Sequence, residues 1–330
     1  MGILLMVIRG VLMASERGRA FIVSLAACFS LISLSGCSFG EAEGEEAGRG
    51  TGVDAIDDVD GTEGSGLPLD SYFASPAQAQ MLDRAQDVLK KQCMERYGFS
   101  YTPPPLPEVV PVKGVGNRYG IADPADAANF GYGGPDMATQ ADDPPLGEDE
   151  AAVFNGPEEL DPDSLPNSQE EVDDLPASTS NANLVNGLVV PPGGCIRESF
   201  LKLYAPRAGA VDILFTQDLE RESFARSRAD SRVKDAASAW SACMGRSGYE
   251  VSDPMNPGRE LNLAEGLSGE KATAIAVQDV ECKKRANLIK IWFAVESSYQ
   301  HEVIKREADT LKRAKAEHHE RIRFAESLVK

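Results

Sequence analysis

The residues best placed to do covalent chemistry are the cysteines. Six occur, and four of them, Cys93, Cys195, Cys243 and Cys282, lie beyond the apolar N-terminal stretch. An even number in an oxidising compartment points to two disulfides. Four cysteines allow three connectivities, and spacing alone selects none of them. No pair stands in Cys-x-x-Cys spacing, so a thioredoxin-like redox centre or a zinc ribbon is excluded. Other candidate chemistries fail on spacing. Aligning Gly61 with the invariant glycine of a calcium loop puts Ile56 and Leu67 at ligand positions, where neither can coordinate. Gly114, Gly116 and Gly120 are wrongly spaced for a dinucleotide loop. His318 and His319 are adjacent, about 100° apart on a helix, and do not face one metal; His301 stands alone beside Glu302. Gly-x-Ser-x-Gly is absent. Carboxylates are too abundant for any pair to mark a glycosidase. The sequence predicts no catalytic residue, metal site or cofactor.

The elements that must position the cysteines show an internal repeat. Cys93-Met94-Glu95-Arg96-Tyr97-Gly98-Phe99 matches Cys243-Met244-Gly245-Arg246-Ser247-Gly248-Tyr249 as C-M-x-x-x-G-[F/Y]. Each copy ends a helical pattern: Leu82, Ala85, Leu89 and Cys93 share one face, as do Ala229, Val233, Ala236, Trp240 and Cys243. Gly98 and Gly248 suit the left-handed position that closes a helix, with the following aromatic folding back. A loop and a second cysteine follow each copy. The economical pairing is two related helical hairpins, stapled by Cys93–Cys195 and Cys243–Cys282.

Residues 76–97, 195–205, 218–247 and 270–330 read as helices, which makes the protein all-α with a long C-terminal helix. Along that helix Ile275, Cys282, Ala286, Ile289 and Phe293 form a core stripe, with Trp292, Val295 and Tyr299 beside it. Beyond Ile304 the apolar seam thins to Leu311, Ala314, Ile322, Ala325 and Val329, while Glu302–Arg306, Asp309–Arg313 and Glu317–Arg321 supply helix-supporting pairs four residues apart. That end is expected to be either a solvated tail or a surface that docks a partner or self-associates. Residues 100–135 are rich in Tyr, Gly and Pro and read as an ordered loop pinned onto the first hairpin. Tyr119, Phe130, Tyr132, Trp240, Trp292 and Tyr299 are the candidate ligand or partner surface.

The net charge is −19. Residues 38–66 hold nine acids and one base, and residues 119–196 hold sixteen acids and no base, so the remainder carries about +5. Acid-rich stretches with little apolar content cannot offset chain entropy, and the tether 37–75 and the insertion 133–192 are expected to be disordered. Nucleic-acid binding wants a clustered excess of Lys and Arg, and a chain this acidic disfavours it.

The N-terminus carries an address. Arg17 and Arg19 precede an apolar run from Ala20 to Leu34, and Leu34-Ser35-Gly36-Cys37 follows. This resembles the lipobox of bacterial lipoproteins, where the cysteine is lipidated and becomes the mature N-terminus. The run is shorter than the ~20 residues a spanning helix needs. A diacylglyceryl group on Cys37 would anchor stably where a single acyl chain would not. Translation could start at Met1 or Met13.

Trp240-x-x-Cys-Met-x-x-x-Gly-Tyr249, followed by Cys282 and a helix carrying Trp292 and Gln300, resembles a family of actinobacterial secreted lipoproteins. So does Arg118-Tyr-Gly-Ile-Ala-Asp123 with Phe130-Gly-Tyr132. The resemblance implies no activity. The expected organisation is a signal peptide (1–36), a lipidated, acidic, disordered tether (37–75), the first half of hairpin one with its aromatic loop (76–132), a disordered acidic insertion (133–192), the second half of hairpin one (193–217), and hairpin two with the long C-terminal helix (218–330). The expected role is that of a non-catalytic envelope accessory protein on the extracytoplasmic face of the cell membrane, held by membrane lipid and bound to an envelope partner. The alternative is a module that binds a small ligand, a peptide or a wall fragment.

Overall fold

The computed structural model describes residues 66–106, 117–134, 146–156, 165–175, 184–263 and 266–330, all within the unit spanning 55–330. The leader, Cys37 and the tether as far as residue 65 lie outside the described residues. The elements run α1 (Pro76–Arg96), α2 (Pro124–Phe130), α3 (Glu148–Asn155), α4 (Gln169–Asp173), β1 (Leu184–Val185), β2 (Leu188–Val189) and α5 (Gly194–Tyr204). Then follow α6 (Phe215–Ala229), α7 (Ser231–Arg246), α8 (Pro257–Glu260), α9 (Glu270–Arg285), α10 (Leu288–Arg306) and α11 (Ala308–Leu328). Among the described residues the fold is all-α apart from the two short strands, and no helix is long and apolar enough to cross a membrane.

Helix α1 starts where the sequence says it should. Pro76 occupies its first turn, Ser75 accepts from the Gln78 N–H at 3.3 Å, and the Gln78 side chain accepts from the Ser75 N–H at 2.9 Å. It ends on the repeated motif: the Phe99 N–H reaches the Met94 carbonyl at 3.1 Å, and Gly98 sits at φ 84°. Helix α7 ends the same way, with Tyr249 N–H on Met244 O at 3.0 Å and Gly248 at φ 86°. Both methionines are buried.

The disulfides are Cys93–Cys195 and Cys243–Cys282, each with a Cα separation of 5.6 Å. The first joins the last turn of α1 to the first turn of α5, and Leu82, Ala85 and Leu89 of α1 meet Leu203 and Tyr204 at the far end of α5. That is an antiparallel hairpin. The second joins the last turn of α7 to the last turn of α9, because Cys282 comes late in α9 and not early in a long helix.

The predicted long helices are interrupted. Residues 218–247 break at Asp230, whose carboxylate caps α7 by accepting from the Arg232 N–H at 2.9 Å. Residues 270–330 break at Asn287, which adopts a left-handed φ of 53°, and again at Glu307. These breaks let α11 turn back. Its residues Ala325, Ile322 and Leu328 pack with Leu82, Ala85, Leu89, Leu203 and Tyr204 of the first hairpin, and Leu311 packs with Leu69, Leu219 and Val303. The thin seam is therefore an internal contact, and α11 is neither a solvated tail nor an unoccupied docking face.

Two expected disordered stretches contain ordered pieces. At the end of the tether, Leu67 and Leu69 are buried around a 3₁₀ turn at Pro68–Tyr72. Inside 133–192, α3 and the β1–β2 hairpin are formed. Val153, Val185 and Val190 cluster with Cys93, Met94, Tyr97 and Cys195, over the first disulfide. Acidic composition averaged over the segment hides these few apolar residues, which suffice because they converge on one spot.

Candidate ligand cleft and the buried polar groups behind it

At the start of the aromatic loop, Tyr101 packs on the first hairpin as expected and donates to Asp87 of α1 at 3.2 Å, but residues 117–134 pack on the second stapled pair instead. Helix α2, capped by Asp123 through the N–H groups of Ala125 (2.7 Å) and Asp126 (3.0 Å), lies along α9, with Ala127 against Ala276 and Val280. Before it, the chain runs close under the rest of the fold. Gly120 has φ 80°, and a Cβ there would meet Pro254 O at 2.4 Å and Lys283 Nζ at 2.7 Å, so only glycine permits the approach.

Two buried polar clusters fix this segment. In the first, the Arg118 guanidinium pairs with Glu296 and Glu220. The Glu296 carboxylate also accepts from Tyr119 Oη at 2.9 Å and Gln300 Nε2 at 3.0 Å. Gln300 Oε1 in turn accepts from the Leu69 N–H at 2.9 Å, which ties the ordered end of the tether to α10. Glu296 and Gln300 are fully buried, so each donor matters: an unmatched charge there would cost several kcal/mol. Burial alone would lower the Arg118 pKa; hydrogen bonds and charge from Glu296 and Glu220 outweigh it and raise the pKa. Burial, reinforced by the Glu296 charge, raises that of Tyr119.

In the second cluster, Asp279 accepts from Trp240 Nε1 at 2.8 Å, Tyr132 Oη at 3.2 Å and Lys283 Nζ at 3.3 Å. Lys283 also donates to the Ile121 carbonyl at 3.0 Å. Burial pushes Asp279 up and Lys283 down, both away from charge. An acid, a tyrosine and a lysine in contact invite a catalytic reading, but Asp279 is 0% and Lys283 1% exposed. Both are closed off from solvent, and together with Trp240 the trio clamps the end of α2, α7 and α9 to one another.

In front of the clamp opens a cleft of about 530 Å³, lined by Asn117, Gly120, Ile121, Tyr132, Pro257 and Arg259 among others. Clefts of this size hold small ligands or a few residues of peptide. Of the six aromatic residues predicted as a surface, Tyr132 reaches the cleft. Tyr119, Trp240 and Trp292 are core side chains, with Tyr119 stacked on Trp292 at 5.0 Å between ring centres, so they present no surface. Tyr299 is half-buried on the far side of α7, where it donates to Asp230 at 3.0 Å. Phe130 is half-buried at the end of α2. Large aromatics attract a sequence reader as ligand platforms, but their area is worth most inside the core.

Sequence reasoning missed Glu296, Asp279 and Lys283. A signal was available: Asp279 and Lys283, four apart, fall on the same face of α9 as Ala272, Ile275 and Ala276, an acid and a base placed on an apolar stripe. Among the described residues, no group of three or more His, Cys, Asp or Glu side chains could hold a metal ion. No protein-family model, curated protein or solved structure matches the chain.

Proposed function

We propose that the protein is a lipoprotein anchored by a diacylglyceryl group on Cys37 to the extracytoplasmic face of the cell membrane, and that it works there by binding, as an accessory protein to an envelope partner. The cleft beside Tyr132 is the contact site. The observation that carries the binding reading is the state of the groups around the cleft: Tyr132 Oη is committed to Asp279, and Lys283 to Asp279 and Ile121. The walls are thereby rigid and preformed, which lowers the entropic cost of binding. The two disulfides support the extracytoplasmic address, since cytosolic thiols are kept reduced. The seam of the C-terminal helix, expected to face the partner, is occupied by the first hairpin, so the contact moves to the cleft. The second reading, a small ligand or peptide fragment in the same cleft, draws on its volume of about 530 Å³.

In-cell photocrosslinking from Asn256, an exposed residue on the cleft rim, tests the partner reading. One dominant envelope protein should be captured, and it should be lost when Asn117→Trp fills the cleft. Capture unchanged by that substitution defeats the cleft assignment. No capture, together with a thermal shift by wall fragments that Asn117→Trp abolishes, selects the small-ligand reading. Membrane fractionation of Cys37→Ala tests the anchor: a variant that stays membrane-bound and full-length removes it.

A further inference from the structure

A second cavity, of about 350 Å³, lies away from the cleft, between the C-terminal end of α5, the loop 206–210 and α11. Its lining mixes apolar residues, Leu203, Tyr204, Pro206 and Phe324, with charged ones, Arg207, Glu317, Glu320 and Arg321. Most of that charge is already matched. Arg207 pairs with Glu320 at 2.7 Å, and Glu317 accepts from the Val211 N–H at 2.9 Å. Lys202, also at the cavity, is paired with Glu198.

Arg321 is the exception. Its Nε donates to the Leu203 carbonyl at 3.3 Å, and its Cζ lies 4.9 Å from the centre of the Tyr204 ring. Among the described residues it forms no ion pair, and its Nη1 and Nη2 donate no hydrogen bond. Four of the five N–H donors of a guanidinium are thus unused at the wall of a cavity. Burial lowers the pKa of Arg321, and the charges of Tyr204 and Glu317 offset this only in part. Three residues further along the same helix, Phe324 is 39% exposed, a large apolar side chain on an otherwise charged face.

We propose that this cavity binds a small carboxylate bearing an apolar chain, with the carboxylate on the Nη1–Nη2 edge of Arg321 and the chain against Pro206 and Phe324. A planar monoanion suits one guanidinium, which it can meet through two parallel hydrogen bonds. Phosphate fits less well. The backbone N–H groups of Ala208 and Val211 that could hold it are engaged by Glu170 and Glu317, and the carboxylates of Glu317 and Glu320 at the wall repel a dianion. The site is independent of the cleft and of the envelope role proposed above.

Calorimetric titration of the full chain with octanoate, octanol, acetate and inorganic phosphate tests it. Octanoate should bind best, because it alone joins the charge to the chain. Arg321→Gln should weaken octanoate by about tenfold or more, the worth of a charge-assisted pair, and Arg321→Lys by less. Phe324→Ala changes an exposed side chain and should weaken octanoate while leaving acetate unchanged. Phosphate or octanol binding as well as octanoate overturns the proposal. So does an octanoate affinity indifferent to Arg321→Gln or, if that variant fails to fold, indifferent to Phe324→Ala. Octanoate affinity that disappears in Asn117→Trp and persists in Arg321→Gln puts the ligand in the cleft and equally overturns it.

Discussion

The two stapled helix pairs begin from the same local instruction and end in different architectures. Cys93 and Cys243 both stand in the last turn of a helix, one four residues after the buried Leu89 and the other three after the buried Trp240, and both helices close on a glycine with positive φ. Cys93 is then bonded to the start of its partner helix and Cys243 to the end of its own. The first arrangement gives a simple antiparallel hairpin with a thin core, which needs α11, α3 and the β1–β2 hairpin as covers. The second gives a thick core around Trp240 and Trp292, into which buried charge is drawn and neutralised by Arg118, Asp279, Lys283 and Glu296. A repeated motif thus dictates how a helix ends; what that end is fastened to is decided elsewhere.

The comparison breaks most sharply if the cover of the first hairpin is removed. Deleting residues 308–330 uncovers Leu82, Ala85, Leu89, Leu203 and Tyr204 and should cost on the order of 5 kcal/mol or more. Native-state hydrogen exchange should then show α1 and α5 opening while α7 and α9 keep their protection. Equal loss in both regions would mean that the two cores form one cooperative unit.

The staples come next. The cysteines of the first are 102 residues apart and those of the second 39. Restriction of the unfolded chain gives about 4.7 and about 3.9 kcal/mol respectively. Cys93→Ser/Cys195→Ser should therefore lower the urea midpoint more than Cys243→Ser/Cys282→Ser does. The reverse order would show that native packing around Trp240, rather than chain entropy, sets the value of the second bridge.

Acid should separate the regions as well. Burial alone would raise the Glu198 pKa from 4.5, but hydrogen bonds from Arg96 and Lys202 outweigh it and hold the carboxyl below that value. Its contribution is therefore fully present above pH 4.5 and is lost as pH falls through the depressed folded value. Asp279 has the opposite sign. Burial raises its pKa above 3.8 despite Lys283 and the Trp240 and Tyr132 hydrogen bonds, so its contribution is present at low pH and lost as pH rises through the folded value. Exchange protection in α1 and α5 should thus fail before that in α9 as pH drops, and Glu198→Gln should flatten the acid limb. An unchanged limb would remove Glu198 from the account.

The smallest effect should be the same in both regions. No atom lies within 4 Å of a Cβ built on Gly248, and on Gly98 only the Asn186 side chain does, at 3.9 Å. Gly98→Ala and Gly248→Ala should each cost about 1 kcal/mol from backbone conformation alone, measured as equal shifts in the urea midpoint. A clear inequality would mean that the two helix ends are not equivalent.

Legibility followed the range of the interactions. The start of α1 at Ser75-Pro76, both glycine-closed ends and the pairing of the four cysteines were readable, because capping and helix termination are settled within five or six residues. The pairing needed the repeat as well, since spacing alone left three choices. Asp230 and Asn287 were read through as helix, although each is a residue type that caps or turns; the strong apolar periodicity on either side concealed the breaks. The cleft was half legible. Tyr132 was picked out, but Asp279 and Lys283, which hold it, were not, and Tyr119, Trp240 and Trp292 were assigned to a surface they do not reach.

By itself, then, the sequence determined the all-α class, the two glycine-closed helix ends and the two staples. Tertiary structure alone decided that residues 117–134 leave the hairpin they follow in the chain and lie on α9, that the C-terminal helix folds back over α1, and that Arg321 lies at a cavity wall outside any ion pair among the described residues. The reason is physical. Local rules act on hydrogen-bonding groups a few residues apart, whereas the destination of an apolar face or a buried charge depends on which distant surface can cover or neutralise it, and that choice is made only when the whole chain packs.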